Sequence, residues 1–143
     1  MIDHVGAFFE ARGLRYNPHP DLVPNSRAAL RLGELARSIG VFEPFHQSLM
    51  DAYWDQGRDI GDRDVLRELA EKAGVPPDEA DDVLATDRYL DAVENSTREA
   101  VTIGVTGVPA FLLERRLLVL GAQPEDVFEQ AFARLAETPA EHE

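Results

Sequence analysis

Two segments near the carboxyl end of this 143-residue chain, each of which begins with a glycine, constrain its fold most strongly. The first is Gly104–Phe111, with the sequence GVTGVPAF, and the second is Gly121–Pro124, with the sequence GAQP. The glycines of the first segment predict the end of a helix and a turn, and Pro109 comes just before an apolar run typical of a strand. Pro124 stands where a new helix can begin, because the missing N–H of proline costs nothing in a first turn. The pattern therefore predicts a helix, a pair of strands and a final helix.

The paired strands are predicted from two apolar runs of equal length, Ala110–Leu113 and Leu117–Leu120. Only Glu114, Arg115 and Arg116 separate them, which predicts an antiparallel hairpin with its tip in solvent. Because both runs are almost wholly apolar, we expect the hairpin to be buried on both faces. In the final helix, helical spacing predicts an inward face made of Val127, Phe128, Ala131, Phe132 and Leu135.

The chain before the hairpin carries helix signals rather than strand signals. A short helix is expected over Ile2–Arg12 with Gly13 as its stop, an extended segment over Leu14–Asn17, and a loop to Pro24. Caps, prolines and apolar spacing then predict five helices. They run from the Asn25-Ser26 cap to Gly40, over Phe42–Gln56, from the Asp62 cap to Ala73, from Pro76-Pro77 through an acidic stretch, and from the Asp87 cap over Arg88–Ile103.

Charge and cysteine content exclude several classes of function. With 27 acidic and 14 basic side chains the formal net charge is −13, so we expect neither nucleic acid nor an anionic membrane as a partner. No apolar run reaches the ~20 residues that span a bilayer, and the first residues do not resemble a signal peptide, so the cytoplasm is the expected location. The chain has no cysteine, which excludes a disulfide framework, thiolate metal sites and a thiol nucleophile of its own.

Motifs along most of the chain, taken in order, resemble the DsbA-like branch of the thioredoxin superfamily. They are Pro24-Asn25-Ser26, Tyr53-Trp54, Gly57–Asp62, Gly104–Pro109 and Gly121–Pro124. Within that branch the chain is most similar to FrnE-type and 2-hydroxychromene-2-carboxylate-isomerase-type proteins. The resemblance implies a mostly helical α/β protein with a partial thioredoxin-like fold, in which a helical insertion precedes a β-hairpin and a helix. We assign residues 1–25 to an N-terminal remnant, 26–103 to the helical insert, 104–137 to the hairpin and last helix, and 138–143 to a tail.

The resemblance also implies where function would lie. The family's active site is a Cys-x-x-Cys, or a serine in glutathione-using relatives, at the first strand–helix junction. We expect this chain to begin downstream of that junction, so no catalytic residue is carried over. What it retains is the family's cis-proline loop, which places Thr106, Val108 and Pro109 as candidate residues for binding a peptide or glutathione. Read from the residues alone, Pro109 could instead simply begin a strand.

Other candidate residues have an ordinary structural explanation beside the functional one. His46 has no partnered nucleophile that would make it a catalytic base and is expected to be a helix-surface or half-buried histidine, and with His4, His19 and His142 it makes no metal-ligand spacing. The acids Asp59, Asp62 and Asp64 fit a cap with solvated neighbours better than a calcium loop, and the acids of residues 78–82 fit a helix start. Tyr53-Trp54 could line a groove, although helical spacing favours Tyr53 in the core. Ala122 and Gln123 correspond only weakly to glutathione-contacting positions, and the sequon Asn95-Ser96-Thr97 is expected to be a chance match.

These expectations combine into one functional hypothesis and its alternative. The chain is expected to be a DsbA-like protein without dithiol activity that acts as a binding or assembly module, with no cofactor unless glutathione binds. An open apolar hairpin is a template for pairing, so we expect a homodimer that buries Ala110–Leu120. The alternative is part of a thiol-disulfide oxidoreductase, or of a glutathione-dependent isomerase or transferase.

Overall fold

A computed structural model of the protein describes residues 6, 7, 9–13 and 23–137. Residues 6, 7, 9 and 10 are helical, and Gly13 follows them with a φ of 67°, as predicted for a helix stop. The proposed extended segment Leu14–Asn17 and the tail from Thr138 lie outside the described residues. The elements that follow are α1 Arg27–Ser38, α2 Phe42–Met50, a π-helix Asp51–Asp55, α3 Arg63–Lys72, α4 Pro77–Ala85, α5 Leu90–Thr102, β1 Ala110–Leu113, β2 Leu117–Leu120 and α6 Glu125–Glu137.

The chain divides into two compact units, Met1–Glu94 and Asn95–Glu143. The first unit holds the main hydrophobic core, to which α1, α2, α3 and α4 contribute. Its largest fully buried side chains are Phe45, Leu32, Leu35, Leu66, Val75 and Val83. Each of the four helices contributes at least one of these side chains, and Val75 comes from the connection between α3 and α4, so burial of these apolar groups is what holds the four helices together.

Capping interactions set where the helices of the first unit begin. The side chain of Asp62 accepts hydrogen bonds from the backbone N–H groups of Asp64 and Val65, as predicted. At α1 the side chain of Asn25 accepts from the N–H of Arg27 at 3.0 Å, whereas Ser26 makes no side-chain cap bond. These short polar side chains satisfy donors that the first helical turn leaves unpaired.

The predicted continuous helix over Phe42–Gln56 is wrong in its last part. Regular α-helix ends at Met50, and the wider π-helix Asp51–Asp55 replaces the final turn, with the N–H of Gln56 donating to the C=O of Asp51. Ala52 and Tyr53 are both buried there, while Trp54 is exposed. The wider turn changes the direction in which the last residues of this segment leave the helix.

Helix α5 also begins later than predicted. Asp87 does not cap it; its first helical residue is Leu90, and Tyr89 before it has a φ of 65°. The hydroxyl of Thr86 accepts a hydrogen bond from the N–H of Arg88 at 3.2 Å. The guanidinium of Arg88 lies against Glu79 and Asp82, and these ion pairs tie the α4–α5 connection to α4.

The second unit contains the hairpin and α6. Strands β1 and β2 pair antiparallel, with Ala110 opposite Leu120 and Leu113 opposite Leu117, as predicted. Phe111 packs edge-on against Phe128 of α6, with 5.0 Å between the ring centroids. The expectation of a hairpin buried on both faces is wrong for the described residues, because Val119 alone in the two strands is buried. Phe132, expected to face inward, is 57% exposed.

The described helices include none that combines the length and the apolar character needed to cross a membrane. The observed architecture is therefore mostly helical with one antiparallel hairpin, which agrees with the predicted fold class.

Candidate functional site

The loop between α5 and β1 contains the three residues predicted to bind ligand. The backbone conformation of Gly104 sets the direction in which this loop leaves α5. Gly104 has a φ of 95°, and its N–H donates to the C=O of Val101 while the N–H of Val105 donates to the C=O of Ala100. This pair of bonds is a Schellman cap, which closes a helix and needs a left-handed residue. A Cβ on Gly104 would also lie 3.7 Å from Leu118 Cδ2, so the helix end is fixed close to the hairpin.

Thr106, Val108 and Pro109 all lie on the surface of this loop. Val108 is 91% exposed, and the Val108–Pro109 peptide bond is cis. The C=O of Pro109 accepts from the N–H of Gly121 at 2.8 Å, which joins the loop to the far end of β2. Within the described residues no hydrogen bond engages Thr106 or Val108. Their backbone groups are therefore available to a ligand.

The hairpin next to this loop leaves specific backbone groups unpaired. Since Pro109 and Gly121 form a hydrogen-bonded pair, alternation along the register makes Phe111–Val119 and Leu113–Leu117 hydrogen-bonded pairs as well. The pairs Ala110–Leu120 and Leu112–Leu118 then direct their N–H and C=O groups away from the hairpin. One of these groups is covered, because Gln123 Nε2 donates to the C=O of Leu120 at 2.7 Å.

The hairpin tip is polar and exposed. Glu114 and Arg115 both have positive φ values, of 49° and 55°, and the N–H of Arg116 donates to the C=O of Leu113. Arg115 pairs with Glu99 at 3.0 Å and Arg116 with Glu114 at 3.2 Å. Their charged heads keep the tip in solvent, as the sequence indicated.

A groove follows the outer side of β2, between that strand and α6, which we call the β2–α6 groove. Its volume is about 510 Å³, and its walls are Leu117–Leu120 with Gln123 and, from α6, Val127, Gln130, Ala131 and Arg134. A smaller recess of about 210 Å³ adjoins it and is formed by Arg116, Leu117, Arg134 and Leu135. Sequence reasoning did not single out Gln130 or Arg134, although their spacing from Val127 places the three on one helix face.

The remaining predicted candidates have structural roles. His46 is exposed on α2 and stacks on Phe42, whose ring also lies 3.9 Å from the Arg37 guanidinium carbon. Asp59 accepts the N–H of Gly61 at 2.8 Å. His4, His19 and His142 lie outside the described residues, and nowhere within residues 23–137 do histidine, aspartate and glutamate side chains gather as a metal-binding group.

The Gly57–Asp62 motif forms a tightly held turn after the π-helix. The N–H of Arg58 donates to the C=O of Ala52 at 2.8 Å, and the Arg58 guanidinium binds Glu68 through two hydrogen bonds. This bond pattern holds the pKa of the Glu68 carboxyl below its usual value and raises the pKa of Arg58. The motif therefore connects the π-helix to α3 by a directed ion pair.

The helical segment, the proline loop, the two-stranded antiparallel hairpin and the closing helix agree with the thioredoxin-like class that the motifs predicted. The sequence model of the DSBA-like thioredoxin domain matches residues 1–133, so the chain belongs to that family. The fold is similar to the crystal structure of a probable DsbA oxidoreductase from Streptomyces coelicolor, with a TM-score of 0.86 and 34% sequence identity. The similarity covers 99% of this chain and 61% of that one.

The chain is also similar to a protein of Bacillus subtilis (strain 168), the uncharacterized protein YwbO. The two are 26% identical over 134 residues, which cover 93% of this chain and 64% of YwbO. In both comparisons this chain spans less than two thirds of the relative's length.

Proposed function

We propose that this chain is a non-catalytic binding module on the DsbA-like scaffold. In this proposal the loop at Thr106, Val108 and Pro109 binds an extended peptide through backbone hydrogen bonds. One observation carries the proposal: the chain has no cysteine, yet it presents Val108 at 91% exposure with no hydrogen bond from the described residues to its backbone. Backbone groups beside an exposed loop recognise extended peptides without any need for a thiol.

Amide NMR spectra can test this role residue by residue. A reduced, unfolded peptide or glutathione is titrated into the labelled protein, and a shift of the Thr106 and Val108 amides is expected. Val101 provides a control, since it is 67% exposed but lies inside α5. Shifts confined to residues far from the loop would contradict the proposal, and so would turnover of an insulin disulfide by the purified chain.

We further propose that a second copy of the chain covers the open hairpin. Phe111, Leu112 and Leu120 are each about two fifths exposed, and Ala110 and Leu112 direct unpaired backbone groups outward along β1. An exposed apolar strand edge favours pairing with another strand. Homodimerisation would bury these groups and give the module its assembly role.

Light scattering, run with and without glutathione, measures the molar mass that this proposal requires. Phe111→Asp is expected to disturb both the fold and the dimer, because Phe111 packs on Phe128. Leu112→Asp changes the other face of β1, so it is expected to give a folded monomer. A wild-type monomer, or a Leu112→Asp protein that keeps the dimer mass, would refute dimerisation through the hairpin.

A second candidate function has its own supporting observation. The chain covers only 61% of the Streptomyces oxidoreductase, which leaves room for an active site on sequence that accompanies this segment. In that case the activity would be thiol-disulfide exchange, or a glutathione-linked isomerisation or transfer. An in-frame Cys-x-x-Cys or serine segment upstream of Met1 in the gene would favour this candidate, and an upstream stop codon would exclude it.

A further inference from the structure

The β2–α6 groove is lined without acidic residues in a strongly acidic chain. The chain carries 27 acidic side chains, yet no acidic residue lines either the groove or its adjoining recess. The groove instead combines the apolar strand with two amides and Arg134, and the recess adds Arg116. Such a surface is suited to an apolar ligand that carries a negative charge at one end.

The strand that forms one wall has backbone groups free for pairing. Leu118 directs both its N–H and its C=O to the outer edge of β2, and Leu120 directs its N–H there. The C=O of Leu120 is occupied by Gln123, which limits pairing at that end of the strand. An added strand would therefore form its bonds around Leu118 and extend toward Leu117.

The charged end of the groove lies where such an added strand would finish. Arg116 comes directly before Leu117, and Arg134 lines both the groove and the recess. Arg116 already pairs with Glu114, whereas Arg134 forms no salt bridge with any residue of the described part of the chain. A carboxylate placed here would gain a charge-assisted hydrogen bond from Arg134.

We propose that the β2–α6 groove binds an extended apolar peptide that adds as a strand to β2 and places its free C-terminal carboxylate at Arg134 and Arg116. The direction follows from the strand: β2 runs from Leu117 to Leu120, so an antiparallel peptide ends beside Leu117. Antiparallel pairing is also the slightly more stable arrangement. The four residues of β2 span about 14 Å, so the groove contacts only the last few residues of the bound peptide. This surface is separate from the Thr106–Pro109 loop, and its function does not depend on that proposal.

Fluorescence anisotropy with a labelled hydrophobic peptide tests the carboxylate. The peptide ends in three β-branched apolar residues and is prepared with a free C-terminus and as the C-terminal amide. The free acid is expected to bind at least about tenfold more tightly than the amide, since a charge-assisted bond is lost on amidation. Equal affinity of the two peptides, or no binding by either, would overturn the proposal.

Two protein variants locate the charge that is recognised. Arg134→Gln is expected to reduce the affinity for the free acid toward that for the amide, with the fold checked by its thermal transition. Arg98→Gln serves as the matched control, because Arg98 is an exposed arginine on α5 of the same unit and lines neither the groove nor the recess. If Arg98→Gln weakens binding as much as Arg134→Gln, only non-specific charge attraction is present and the assignment fails.

N-methylated peptides test strand addition without changing the protein. In an added strand alternate residues direct their N–H toward β2, so methylation of one nitrogen should weaken binding about tenfold and methylation of the next should have little effect. Equal effects at the two positions would contradict strand pairing. A groove occupied by a second copy is the other outcome: the peptide then fails to bind at concentrations where light scattering finds a dimer, and the proposal is refuted.

Discussion

Replacing Gly61 by alanine is expected to destabilise the first unit through a close backbone approach. A Cβ at Gly61 would lie 3.1 Å from Asp59 Oδ1 and 3.2 Å from both the N and the O of Asn25. Two of these three atoms belong to the backbone of Asn25, which is also held by its cap bond to Arg27, so these two contacts cannot be relieved by a side-chain rotation. Overpacking of this kind costs about 1–3 kcal/mol. For a domain of this size that corresponds to a fall in Tm of roughly 3–10 °C.

The matched control is Gly33→Ala, a buried glycine in the middle of α1. Its added Cβ would lie 3.7 Å from Phe42 Cε2, an ordinary van der Waals distance. Because alanine is favoured over glycine in a helix interior by up to about 1 kcal/mol, this variant is expected to be as stable as the wild type or more stable. Urea unfolding followed by circular dichroism measures both. A Gly61→Ala protein with wild-type stability, or a Gly33→Ala protein less stable than Gly61→Ala, would refute the packing argument.

Three further changes test the capping, ion-pair and core contributions. Asp62→Ala removes the side-chain acceptor of two N–H groups and is expected to cost about 1 kcal/mol in urea unfolding, whereas Asp62→Asn should lose much less. The folded-state pKa of Glu68 is lowered by Arg58, so its stabilising effect is present above the unfolded pKa of about 4.3 and is lost as pH falls through the folded pKa. The stability difference between the wild type and Glu68→Gln should therefore shrink on acidification, and a constant difference would contradict the ion pair. Leu66→Ala truncates a fully buried side chain and is expected to cost about 2–5 kcal/mol, so a loss within experimental error would show that the site is not in the core.

Much of the helical architecture could be predicted because its signals are local. The Asp62 cap, the glycine stops and the apolar faces of α1 and α3 act within one or two helical turns. The hairpin strands were predicted with their observed bounds, since a short polar turn between two apolar runs leaves little choice of register. The family was also identified from ordered motifs, and the match over residues 1–133 supports it.

The predictions failed where neighbours distant in sequence decide the outcome. The π-helix at Asp51–Asp55 interrupts a segment whose apolar residues keep regular α-helical spacing, so no local pattern indicates it. The exposure of Phe111 and Phe132 could not be inferred from their apolar character. A side chain is buried only if another part of the protein covers it, and the spacing of apolar residues does not show whether such a surface is present. Arg134 lies beside β2 because α6 packs there, and its position in the sequence does not indicate this proximity.

The sequence by itself determined most of the helical segments and several of their ends, that two short strands pair, and that no thiol chemistry comes from this chain. These properties follow from caps, glycine, proline, residue spacing and composition, all of which act over a few residues. Only the tertiary structure decided which backbone groups of the hairpin stay unpaired and which arginine lies beside them. Those features depend on the packing of α6 on the hairpin. This packing forms a groove between side chains of β2 and α6, which are not adjacent in the sequence.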